Sequence, residues 1–137
     1  MDELTDFEIV ERRGYLRPRS PRSIDHAASM VDAALAFARA RGLREVVADV
    51  TALAGFPSPT VVDRFWIVSR WALTAEGCVR LAVVACPEHI DPQRFGVTVA
   101  RNRGLEGNVF VAEAEAVAWL DGLSNVAKSE SPGAGGG

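Results

Sequence analysis

Three short runs rich in β-branched residues, 46–50, 79–85 and 108–111, recur along the chain with helix-length segments between them. Short apolar runs with little alternation suit strands covered on both faces. Strands separated by helices are joined by crossovers rather than tight turns. That makes the sheet largely parallel and its crossovers right-handed. This alternation constrains the fold more than any other feature and predicts the α/β class.

The remaining elements fall around these runs. Residues 7–11 read as a strand, Arg13-Gly14 as a turn and residues 15–17 as the return strand. This is an N-terminal β-hairpin over 6–18, stopped by Pro18 and Pro21. Ser23 is a good N-cap for a helix that carries Ile24, Ala27, Ala28, Val31, Leu35 and Ala38 on one stripe and stops at Gly42. Ser58-Pro59 predicts the start of a second helix, with Ser58 as N-cap, Pro59 at the first helical position and an end near Thr74. Asp91-Pro92 repeats that signal for a third helix, to about Arg103. Glu113 opens a fourth, running to Leu123, with Ala114, Val117, Ala118 and Leu120 or Leu123 inward. The expected architecture is a mixed, mostly parallel sheet of about five strands with four helices on both of its faces.

A chain of 137 residues, 48% apolar and 24% charged, is ordinary for one globular domain. The folded unit is expected over 5–123, and the polar, Gly-rich stretch 124–137 as a disordered tail. The acidic start is unlike a secretory signal, and no run approaches the ~18 apolar residues of a membrane span. A cytoplasmic protein is expected. A net charge of −3 argues against non-specific nucleic-acid binding. Cys78 and Cys86 bracket a strand, too far apart to bridge, and read as free thiols.

The second helix is the least ordinary segment. Val61, Phe65, Val68 and Ala72 share a face that suffices to cover the sheet. Val62, Trp66 and Leu73 make an adjoining face, and Ile67 and Trp71 a third side. Apolar residues nearly all round imply burial by something else, and Trp is enriched at interfaces. Elsewhere, Asp49, Thr51, Cys86 and His89 fall at or after the carboxyl ends of two central strands, where open α/β sheets bind ligands. Cys86 and His89 could pair as nucleophile and base, without an evident third residue to orient them. Arg12, Arg13, Arg17, Arg19 and Arg22 form a basic cluster beside Glu3, Asp6, Glu8 and Glu11; it is read as protection of a hairpin edge, with a site for a phosphate or an acidic partner as the alternative. No P-loop, dinucleotide fingerprint, nucleophile elbow or metal-ligand cluster is present in the sequence, so neither metal nor cofactor is expected.

Four segments carry a resemblance: residues 47–51 with Gly55-Phe56-Pro57-Ser58; residues 79–88; Arg94-Phe95-Gly96 with residues 99–104; and Val109-Phe110 with residues 115–120. In this order and spacing the chain resembles the STAS superfamily, and more closely its SpoIIAA-like, or SEC14-like, branch. The resemblance implies a phosphoacceptor at the start of the second helix. Here Pro59 stands at that position, flanked by Ser58 and Thr60, which departs from the kinase-switched pattern. It also implies a non-catalytic regulatory or scaffold domain working through protein contacts. The apolar surplus on the second helix makes a second copy of the chain the expected partner, with a foreign protein as the alternative. The contact surface would run from Thr51 to Trp71, including Ser58, Ile67 and Trp71. The SEC14-like label implies an alternative, a carrier of a small apolar ligand in a pocket lined by Phe56, Phe65, Trp66 and Phe95. A hydrolase using Cys86 and His89 is a remote third reading.

Overall fold

The computed structural model describes residues 4–129. Five strands, β1 (Phe7–Val10), β2 (Arg13–Leu16), β3 (Glu45–Asp49), β4 (Arg80–Val84) and β5 (Gly107–Phe110), lie side by side in chain order. The β1–β2 pair is antiparallel and every other pair is parallel. Four α-helices accompany them: α1 (Ile24–Arg41), α2 (Val61–Ala75), α3 (Phe95–Asn102) and α4 (Glu113–Ser129). The class and the mixed sheet are those expected from the sequence.

The monotonic strand order has one strong consequence. Parallel crossovers share one hand, so α1, α2 and α3 all fall on the same face of the sheet. There they join Val46, Ala48 and Leu81 in the larger core, while α4 alone covers the other face through Ala116 and Leu120 on Val47, Ala82 and Val84. Alternation along β3 and β4 sends successive side chains to the two cores.

Several local expectations are corrected. The hairpin turn is made by Glu11 and Arg12, at φ 50° and 71°, not by Arg13-Gly14. Gly14 sits in β2 because the Phe7 ring lies over it: a Cβ there would be 2.5 Å from Phe7 Cζ. The cap of α2 is Thr60, not Ser58. The Thr60 hydroxyl accepts from the Asp63 N–H at 3.0 Å and the Asp63 carboxylate accepts from the Thr60 N–H at 3.1 Å. This reciprocal box satisfies two amide donors and outcompetes the Ser-Pro start. Helix α3 begins later than the Asp91-Pro92 signal suggests; Asp91 nonetheless accepts from the Phe95 N–H at 2.8 Å. On α4 the buried pair is Ala116 and Leu120, whereas Ala114 and Ala118 are exposed. That helix continues past Leu123 to Ser129, since no proline interrupts it before Pro132. The rest of the expected tail, 130–137, lies outside the described residues.

Three members of the arginine cluster, Arg13, Arg17 and Arg19, are engaged in ion pairs. Arg17 makes a two-pronged bond to Glu113, at 2.8 and 3.0 Å, and a third to Glu8 at 2.8 Å. Arg13 joins Glu45 and Asp121, and Arg19 joins Asp6. These links fasten the hairpin to β3 and α4.

Candidate ligand cavity

Three helices share one face of a narrow sheet, and the middle one packs mainly on its two neighbours. Helix α1 packs on β2 and β3, and α3 on β5, while α2 packs chiefly across α1 and α3. Small residues allow the close helix contacts: Ser69, Ala72 and Ala75 of α2 are buried there. Several polar links hold α2 on α1. Thr74 donates to Asp32 at 2.6 Å, Arg70 pairs with Asp32 at 3.4 Å, and Trp71 Nε1 donates to the Ala28 carbonyl at 3.0 Å.

Helix α2 roofs a partly open cavity of about 170 Å³. Leu81, Val83 and Ala85, alternating along and just beyond β4, form its floor, and Ala27, Ala28 and Val31 of α1 one wall. Val97 and Ala100 of α3 form the opposite wall. The roof is Ile67, Val68 and Trp71, with Arg64 one turn earlier on the same stripe. An engineered apolar cavity of about 150 Å³ stays dry and takes up benzene.

This overturns the expected rotation of α2. Ile67 and Trp71, placed on an outward side from the sequence, face inward. Val61, Val62, Trp66 and Leu73 are the exposed apolar residues, Leu73 at 76%. None of Phe56, Phe65, Trp66 and Phe95, the expected pocket residues, lines the cavity. Phe65 instead stacks edge-on against Trp66, with ring centroids 5.1 Å apart, and lies under the Arg103 guanidinium. Phe95 is half-buried at the start of α3, and Phe56 serves through its carbonyl oxygen. The stripe Arg64, Ile67, Val68, Trp71 was present in the sequence as a perfect i, i+3, i+4, i+7 series. Reading the helix as a sheet cover hid it, because an equally good stripe, 61, 65, 68 and 72, lies beside it.

The polar rim is distinct from the floor. His89 is buried, and its Nε2 lies 2.8 Å from the Phe56 carbonyl oxygen. A carbonyl only accepts, so Nε2 carries the proton and donates; among the described residues Nδ1 has no partner. Ser58 donates to the Glu88 carbonyl at 2.8 Å, so the two bonds clip the loop before α2 to the 3-10 turn Pro87–His89. Arg94, in the left-handed region at φ 54°, donates to Asn108 Oδ1 at 2.7 Å and to the Val109 carbonyl at 3.3 Å.

The chemistry foreseen at the strand ends is not assembled. The Cys86 thiol donates to the Thr51 carbonyl at 3.3 Å, and no hydrogen bond joins it to His89. Burial, then the nearby carboxylates of Glu88 and Asp49, push that thiol up, away from the reactive thiolate. Both cysteines are free. Asp49 accepts from the Thr51 N–H at 3.0 Å and from its hydroxyl at 2.7 Å, a local turn at the end of β3. Burial opposes the Asp49 charge, yet the bonds from Thr51 and the nearby Arg17 hold its carboxyl below the usual range. Among the described residues, no group of three or more His, Cys, Asp or Glu side chains is placed to hold a metal ion. Nor is any described helix long and apolar enough to cross a membrane.

Comparison with protein-family models, with curated proteins and with solved structures finds no match to this chain. The STAS resemblance rests on its four sequence segments and the element order.

Proposed function

We propose that this chain is a non-catalytic binding module that holds a small, largely apolar molecule beneath α2. One observation carries the reading. A cavity of about 170 Å³ lies between the sheet and α2, lined mostly by aliphatic side chains and Trp71, with Arg64, His89, Asp91, Arg94 and Asn108 also lining it. Close packing is the rule for interiors, and a void of this size forfeits contacts that an occupant would restore. Of the readings implied by the SEC14-like resemblance, the carrier is thus favoured, with a different set of lining residues.

The test is to fill the floor. Val83→Phe places a ring in the space a ligand would take. Wild-type protein is expected to show cavity-lining NMR shifts with small aromatic probes and to retain apolar molecules in native mass spectrometry. The variant is expected to lose both while unfolding at the same or a higher temperature. Probe binding that is unchanged in folded Val83→Phe would overturn the proposal.

A second reading keeps the contact module with the homodimer as its form, and one observation favours it. Val62, Trp66 and Leu73 form an apolar stripe on the outer face of α2, with Trp66 65% exposed. A dimer through this face would show a concentration-dependent mass in sedimentation that Trp66→Glu abolishes. A wild-type monomer at tens of micromolar removes this reading and leaves the cavity untouched.

A further inference from the structure

We infer that the molecule held beneath α2 is an anion, a carboxylate-headed amphiphile whose charged end meets Arg64. The inference rests on the cavity reading above and adds the chemical class of the ligand. Its starting point is the placement of Arg64. The inward stripe of α2 is Arg64, Ile67, Val68 and Trp71, and all four line the cavity. Three of them are apolar and the fourth is a cation at the rim. Arg64 also sits in the first turn of α2, where the helix dipole disfavours positive charge. Nothing in the local folding of the helix asks for arginine there.

Neighbouring charges do not account for it either. Among the described residues, no carboxylate lies within 4.0 Å of the Arg64 guanidinium. The charged groups around the cavity are Arg64, Asp91 and Arg94, with His89 beside them. Asp91 spends its Oδ2 on the Phe95 amide, and Arg94 spends its guanidinium on Asn108 and the Val109 carbonyl. Arg64 and Arg94 against Asp91 give the residues at the rim one more cation than anion, over an apolar floor. A ligand that matches both halves has an apolar body and an anionic head. Guanidinium pairs with carboxylate in a planar two-pronged geometry, which an alcohol cannot reproduce and an ammonium repels.

Three probes of one body and different charge separate the possibilities: phenylacetate, benzyl alcohol and benzylamine, titrated into the full chain and followed by two-dimensional NMR. Wild-type protein is expected to bind phenylacetate about tenfold tighter than benzyl alcohol, and benzylamine weakest of the three. Arg64→Gln is expected to bring phenylacetate to within about threefold of benzyl alcohol and to leave benzyl alcohol unchanged. Arg64→Lys should recover only part of the preference. Arg64 is a rim residue, so these variants are expected to fold, which the dispersion of the same spectra checks. Equal or tighter binding of benzyl alcohol or benzylamine by wild type would overturn the anionic head and leave the cavity reading standing. A phenylacetate preference that survives in Arg64→Gln would overturn Arg64 as the group that meets the charged end, and the proposal with it. If no probe shifts the cavity resonances, the cavity reading itself fails, and the head-group assignment falls with it.

Discussion

The indole Nε1–H of Trp71 donates a 3.0 Å hydrogen bond to the carbonyl oxygen of Ala28, so the roof of the cavity is pinned to its wall. The bond is one of the links consistent with the way α2 faces. With Trp71 turned toward α1, Ile67 and Val68 follow it inward, and Val62, Trp66 and Leu73 are left outside.

Trp71→Phe keeps an aromatic body and loses the donor. It is expected to lower stability by about 1–2 kcal/mol in urea unfolding. Trp71→Glu puts a carboxylate among aliphatic side chains and is expected to lower it by at least about 3 kcal/mol. A folded Trp71→Glu protein with wild-type stability would show that this side chain lies on the outer face.

The two hydroxyls before α2 are expected to differ in weight. Thr60 closes a reciprocal box with Asp63, and Thr60→Ala is expected to cost about 1 kcal/mol. Ser58 is exposed and bonds only the Glu88 carbonyl; Ser58→Ala is expected to cost no more than about 0.5 kcal/mol. Chemical denaturation of the two variants side by side gives the order, and the reverse order would move the cap back to Ser58.

Gly14 makes room for Phe7. A Cβ at residue 14 would sit 2.5 Å from Phe7 Cζ and 2.8 Å from Cε1, and the Phe7 ring is itself held edge-on against Phe37 at 5.4 Å. Gly14→Ala is therefore expected to destabilise by about 1–3 kcal/mol. Phe7→Leu should relieve part of the clash, so the double variant is expected to lose less than the sum of the single losses, as a thermodynamic cycle would measure.

Asp49 sets an acid limb. Its folded-state carboxyl lies below the ordinary value, despite the burial that opposes its charge, because Thr51 bonds it and Arg17 stands near. A carboxyl depressed by folding adds stability that is present above its unfolded pKa and disappears as pH falls through the folded one. The affected window thus begins near pH 4 and extends downward. Asp49→Asn is expected to show a shallower loss of unfolding free energy than wild type between pH 5 and pH 2.5 (approximate bounds of that window). Identical acid limbs for the two proteins would remove Asp49 as a contributor.

What the sequence by itself determined is the element order and hence the class. Short β-rich runs alternating with helices allow only crossover connections, and Ser23 and Gly42 bound α1 through capping chemistry that acts within a few residues. What only the tertiary structure decided is orientation. On α2, 61-65-68-72 and 64-67-68-71 are both apolar enough to face a core, so local pattern cannot choose between them. On α4 the inward pair likewise depends on which side chains of β3 and β4 wait opposite. The choice on α2 comes from three helices sharing one face of a five-strand sheet: α1 and α3 take the sheet, and α2 rests on them. The cavity follows from that crowding, and its lining residues come from α1, β4, α3 and β5 as well as α2, segments far apart in the chain. Distances of that kind are set by packing, which no local spacing records.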